Sequence, residues 1–166
     1  MPSLARKTPH NYIALLMFTM LEAYWIAFIC QTSVYDSYRN SFTDDGYRTI
    51  IMAGSMTIAV VAAATTYAWT TKTDFTRLGG LIFVLVVTLF MLGLFAIFFY
   101  SYILMMIICT LGVLLYGIFL IFDTQLILGE GRHKLLIDDY ILGALHLYSD
   151  IIMIFYYLLQ LLGARD

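Results

Sequence analysis

Charge is scarce in this sequence. Lysine, arginine, aspartate and glutamate make up 12% of its 166 residues, 62% are hydrophobic, and mean hydropathy is +0.88. A soluble domain of this length carries about a quarter of its residues charged to cover its surface, so the composition is that of a membrane protein. Cysteine is nearly absent: Cys30 and Cys109 both fall in apolar stretches and read as small core residues, which excludes a disulfide framework. The basic first ten residues show no small-residue cleavage site of the signal-peptide kind. No lysine lies within an apolar run, which removes the Schiff-base partner a retinal protein needs. Two aspartates in apolar runs suggest the acid–base pair of an intramembrane aspartyl protease. That reading lacks its Gly-x-Gly-Asp element, because Asp150 follows Tyr148-Ser149, and no Pro-Ala-Leu element follows. A Gly-x-Ser-x-Gly elbow is missing as well. The chain reads as a non-enzyme.

What is present is a series of long uncharged runs. Thr8-Pro9 suits a helix start, with Thr8 as N-cap. Asn11 to Cys30 carries Glu22 as its only charge and is long enough for about 30 Å of hydrocarbon. Residues 31–48 are polar and read as an exposed loop. Thr49 to Thr71 forms a second run, closing on the interfacial aromatics Tyr67 and Trp69. After a short polar turn, Leu78 to Phe122 is uncharged over 45 residues, which requires two spans with a hairpin near Phe99-Tyr100-Ser101-Tyr102. Residues 129–139 are polar again, and a last span follows. The expectation is an all-α integral membrane protein forming a single transmembrane domain over 1–166, with five spans at 11–30, 49–71, 79–99, 102–127 and 139–163.

Basic residues orient these spans. Arg6, Lys7, Lys72, Arg77, Arg132 and Lys134 fall on one side, and Arg39, Arg48 and Arg165 on the other. By the positive-inside rule the N-terminus is cytosolic and the C-terminus lumenal or outside. The far loop carries Asp36, Asp44 and Asp45, which either gather cations at a pore mouth or are simply solvated.

Three acids sit in or against the apolar spans: Glu22, Asp123 and Asp150. A charged residue at mid-bilayer costs roughly 2.5–3.5 kcal/mol on insertion scales, so an acid kept there marks a functional site. Gly143, His146, Asp150 and Tyr157 recur at three, four and seven residues and share one stripe, as do Gly112, Tyr116 and Asp123 on the preceding helix. Consecutive spans joined by a short loop are antiparallel neighbours, which lets Asp123 meet Asp150 in the cytosolic half of the membrane. Two carboxylates in low dielectric do not both ionise cheaply, so a shared proton would make them a pH-sensitive latch. An entering calcium ion would replace that proton through oxygen ligands. Glu22 either lines the ion path or is an isolated protonated acid bonded to a hydroxyl. His146, four residues before Asp150, is either its hydrogen-bond partner and modulator or a packed histidine with a local bond.

These residues carry a resemblance. Phe122-Asp123-Thr124-Gln125-Leu126-Ile127-Leu128-Gly129, Asp139-Tyr140-Ile141-Leu142-Gly143-Ala144-Leu145 and Leu147-Tyr148-Ser149-Asp150-Ile151-Ile152 resemble the C-terminal signature of the transmembrane Bax-inhibitor-motif family, Lifeguard branch. Phe18-Thr19-Met20-Leu21-Glu22-Ala23-Tyr24 and Thr71-Lys72-Thr73-Asp74-Phe75-Thr76 match the same branch in order. The resemblance runs from about Asn11 to Gly163. It implies a seven-helix fold around a central last helix, here truncated by its first two helices. It also implies a multi-pass protein of the ER or Golgi that restrains cell death and leaks calcium. In a bacterial relative an aspartate pair forms a pH-responsive latch, whose positions are Asp123 and Asp150 here. An arginine that pairs with those aspartates has no counterpart within these spans, and His146 and Met153 stand where asparagine is frequent. No cofactor is implied, calcium being a permeant ion. The expected partners are the lipid bilayer and full-length relatives or other membrane proteins of calcium and death pathways, with no nucleic acid. The alternative is a non-conducting regulator of cell death or calcium signalling that binds other membrane proteins.

Overall fold

Long runs without charge become helices because only a helix satisfies its own backbone in hydrocarbon. A computed structural model describes residues 9–36, 41–42, 44–129 and 140–163. These form α1 (His10–Val34), a two-residue pair β1 (Tyr35–Asp36) and β2 (Ser41–Phe42), α2 (Asp44–Thr70), α3 (Gly79–Phe98), α4 (Tyr102–Leu128) and α5 (Tyr140–Gly163). A single 3-10 turn, Phe75–Leu78, joins α2 to α3. All five helices are long and apolar enough to cross a membrane. Thr8, the proposed cap, and the basic residues Arg6, Lys7, Arg39, Arg132, Lys134 and Arg165 lie outside the described residues.

The first polar segment is shorter than composition suggests. Residues 31–48 were expected to be loop, yet α1 continues to Val34 and α2 begins at Asp44, with antiparallel pairing of Tyr35 to Phe42 and Asp36 to Ser41 between them. The reasons are local. Thr32 and Ser33 turn their hydroxyls back onto the Ile29 carbonyl at 2.8 and 2.9 Å, so polar side chains prolong α1 without needing solvent. Asp44 and Asp45 occupy the first turn of α2, where negative charge complements the helix dipole. At its other end α4 stops at Gly129, whose φ of 70° is left-handed and whose N–H bonds the Gln125 carbonyl at 3.0 Å.

The last helix is central, as expected. α5 packs against α1, α2 and α4, and only Tyr140, Ala144, His146 and Gly163 along it are exposed. One core cluster joins Ile29 of α1, Ala53 and Ala64 of α2, Leu120 of α4, and Ile154, Leu158 and Leu159 of α5. Small residues make the close approach possible. The buried positions of α2 are Gly46, Ala53, Thr57, Ala64 and Ala68, a seam at alternating seven- and four-residue steps. α3 contributes nothing to this cluster and packs on α4 and the 3-10 turn.

Contacts give helix directions. Tyr12 meets Tyr140 hydroxyl to hydroxyl at 2.7 Å, Phe18 meets Tyr148 at 6.3 Å between ring centroids, and Trp25 meets Tyr156 at 6.5 Å. Both numbers rise together, so α1 and α5 are parallel. Between α4 and α5 they run oppositely, Tyr116 with Tyr157 and Asp123 with His146, so this pair is antiparallel.

Candidate functional site

The α4–α5 seam carries the polar groups. Three α4 residues one or two turns apart, Gly112, Tyr116 and Asp123, all face α5. Gly112 lies so close to the Tyr157 ring that a Cβ there would stand 2.6 Å from its carbons. Tyr116 packs on Tyr157 at 5.8 Å between centroids. Two turns further along α4, the carboxyl groups of Asp123 and Asp150 lie within hydrogen-bonding reach of each other. Both residues are buried, at 7% and 5% exposure.

The electrostatics of that meeting are simple. Two carboxyl groups hydrogen-bond only when a proton lies between them, because an ionised carboxylate only accepts. Asp150 Oδ2 is buried without a hydrogen-bond partner among the described residues. An orphaned buried oxygen costs roughly 1–3 kcal/mol unless a proton, water or cation completes it. The Thr124 hydroxyl is committed elsewhere, to the Leu120 carbonyl at 2.6 Å.

His146 differs from its expected position. The spacing of four residues pointed to Asp150, but Nδ1 of His146 instead lies 3.8 Å from Asp123 Oδ2 on the neighbouring helix. Its side chain is 45% exposed, against 10% for that of Asp123. The histidine therefore sits at the rim of the stripe, bridging the exposed side of α5 to α4, and is not a packed core residue. Helical spacing gives the face of a residue but not which element covers it.

Glu22 falls on the inward stripe of α1 with Phe18, Ile26 and Ile29, and is half-buried. The α1–α5 contacts place it level with about Ile152, some 3 Å along the axis from Asp150. It makes no hydrogen bond or ion pair with the described residues. The structure thus brings Asp123, Asp150 and His146 together and leaves Glu22 at their depth without direct contact. Among the described residues no cluster of three or more histidine, cysteine, aspartate or glutamate side chains is arranged to hold a metal ion. Calcium takes six to eight oxygens. The aspartate pair by itself falls short of that number of ligands.

One buried polar residue of α4 escaped the sequence reading. Gln125, buried at 6%, accepts from the Phe75 N–H at 2.8 Å and donates from Nε2 to the Thr73 carbonyl at 2.9 Å. A lone amide in an apolar run was the available signal.

Comparison with known proteins fits this arrangement. The family model described as inhibitor of apoptosis-promoting Bax1 matches residues 1–166. The chain belongs to the Bax-inhibitor family. Protein lifeguard 3 of mouse is 36% identical over 165 residues, 97% of this chain and 50% of the relative. Human protein lifeguard 3 is also 36% identical, over 97% of this chain and 49% of the relative. Mouse protein lifeguard 4 is 33% identical over 156 residues, 94% of this chain and 59% of the relative. The chain spans about half the length of the curated relatives it matches. In this Bax-inhibitor chain the two aspartates stand on the two helices that pack most extensively.

Proposed function

We propose that this chain is a calcium-leak element of an intracellular membrane, ER or Golgi, that restrains cell death. The N-terminus is cytosolic and the C-terminus lumenal. The observation that carries the reading is the meeting of Asp123 and Asp150, two buried carboxyls from adjacent spans within hydrogen-bonding reach. The family description and the lifeguard relatives support the anti-apoptotic part.

The mechanism follows from charge. With one proton shared, the pair is held by a hydrogen bond and α4 and α5 stay together. When that proton leaves, two like charges face each other in low dielectric, and they separate or take up a cation. Glu22, at nearly the same depth on α1, offers the next oxygen ligand along the path. Leak therefore rises with pH and falls on acidification.

The test is calcium flux from loaded proteoliposomes across a pH series. Asp150→Asn keeps the side-chain shape and a hydrogen bond but removes the titration, so flux should lose its pH dependence. An unchanged flux and pH profile in this variant would falsify the latch. Absence of flux from the unaltered chain, with a membrane-protein partner co-purifying, supports the non-conducting regulator instead.

A further inference from the structure

Gln125 is two residues beyond Asp123 on α4, and both ends of its amide are committed to the main chain of the α2–α3 connection. That connection is itself rigid. Asp74 Oδ1 accepts from the Thr76 N–H at 3.0 Å and from the Thr76 hydroxyl at 2.5 Å, and Asp74 Oδ2 pairs with Arg77 at 2.9 Å. Phe75 packs its ring edge-on to Tyr67 of α2 at 5.9 Å between centroids. Between the end of α2 and α4 lies an open cavity of about 230 Å3, lined by Trp69 to Asp74 and Gln125. Two hydrogen bonds from one side chain bridge that space, and they tie the end of α4 to a stiff turn.

We propose that Gln125 is a positioning residue for the aspartate pair: its two bonds to Thr73 and Phe75 fix the register and rotation of the α4 end, and so the approach of Asp123 to Asp150. The proposal rests on the latch reading above. Asp123 is followed after less than one turn by Gln125, so rotation of this helix end moves both residues together. Among the described residues the ionisable groups around the pair are His146 on α5, Tyr116 on α4 and Glu22 on α1, and the buried face of α2 brings none. None of these anchors the backbone of α4, whereas Gln125 does.

The experiment measures the α4–α5 approach directly. Cys30 and Cys109 are replaced by alanine, and spin labels are placed at the exposed positions Ile127→Cys and Ala144→Cys in phosphatidylcholine nanodiscs. Distances are read across a pH series. Gln125→Leu removes both bonds. Phe75→Pro removes the N–H bond and, with the ring, the contact to Tyr67; the proline fits because Phe75 opens the 3-10 turn and Asp74 before it is extended (φ −83°, ψ 94°). Tyr67→Leu controls for the lost ring contact. Both bond-removing variants should lengthen and broaden the distance at neutral pH and move the transition midpoint by about half to one pH unit. Tyr67→Leu should follow the parent. Distances and midpoints in Gln125→Leu and Phe75→Pro that coincide with the parent overturn the positioning role. Asp150→Asn is a separate arm: if it leaves the pH response intact, the latch fails, while the effect of Gln125 on the α4–α5 distance at fixed pH is still read.

Discussion

α3 and α5 invert the rule for soluble proteins. α3 belongs to the most hydrophobic of the five spans, yet only 6% of that span's apolar 18-residue stretch is buried inside the protein. α5 is the least hydrophobic and the most enclosed, at 33%. Ile82 is the one buried residue of α3, whereas α5 buries Gly143, Asp150 and five aliphatic residues. Lipid is as apolar as leucine, so a hydrophobic surface gains little by leaving it for the protein interior. What gains is a carboxyl that finds a partner and a small residue that lets two backbones close. Between these two helices, polarity and smallness mark the enclosed one and hydrophobicity the open one.

That contrast is open to direct tests. The largest effect should come from giving α3 what α5 carries. Val84, 59% exposed on α3, changed to aspartate places an acid against lipid with no partner, at roughly 2.5–3.5 kcal/mol near mid-span. Membrane insertion assayed by glycosylation reporters should fall, since Val84 has no counterpart to the Asp123 that stands beside Asp150. Next in size is Gly112→Ala. Its Cβ would stand 2.6 Å from the base of the Tyr157 ring, so α4 and α5 must part or the ring must turn, at about 1–3 kcal/mol. The thermal midpoint of the detergent-solubilised protein should drop, and Tyr157→Leu in the same chain should restore part of it. The smallest effect belongs to the same substitution on α3. A Cβ on Gly93 meets nothing within 4 Å, so Gly93→Ala should be neutral or gain up to about 1 kcal/mol from helix propensity. Equal losses at Gly112 and Gly93 would refute the division into a tight centre and a loose rim.

Much of this was legible beforehand, for identifiable reasons. Hydropathy is additive along the chain, so the five spans needed no knowledge of neighbours. The stripe of Gly112, Tyr116 and Asp123 followed from the helical period alone and faces α5. Helix ends were less legible, because Thr32 and Ser33 satisfy themselves on the Ile29 carbonyl and their polarity read as loop. His146 and Gln125 were misjudged or missed for one common reason. Their partners, Asp123 and the Thr73–Phe75 backbone, lie on other elements, 23 and 50 or more residues away.

The sequence by itself determined that this chain lives in a membrane, how many times its apolar runs can cross, and that its acids share faces with small residues. Those properties depend on composition and on a period of 3.6 residues. The tertiary structure alone decided that His146 leans to Asp123, that Glu22 stands near the depth of the aspartate pair, and that Gln125 ties α4 to a distant turn. Each of these depends on the rotation and axial register of one helix against another, and no local pattern in either helix encodes that.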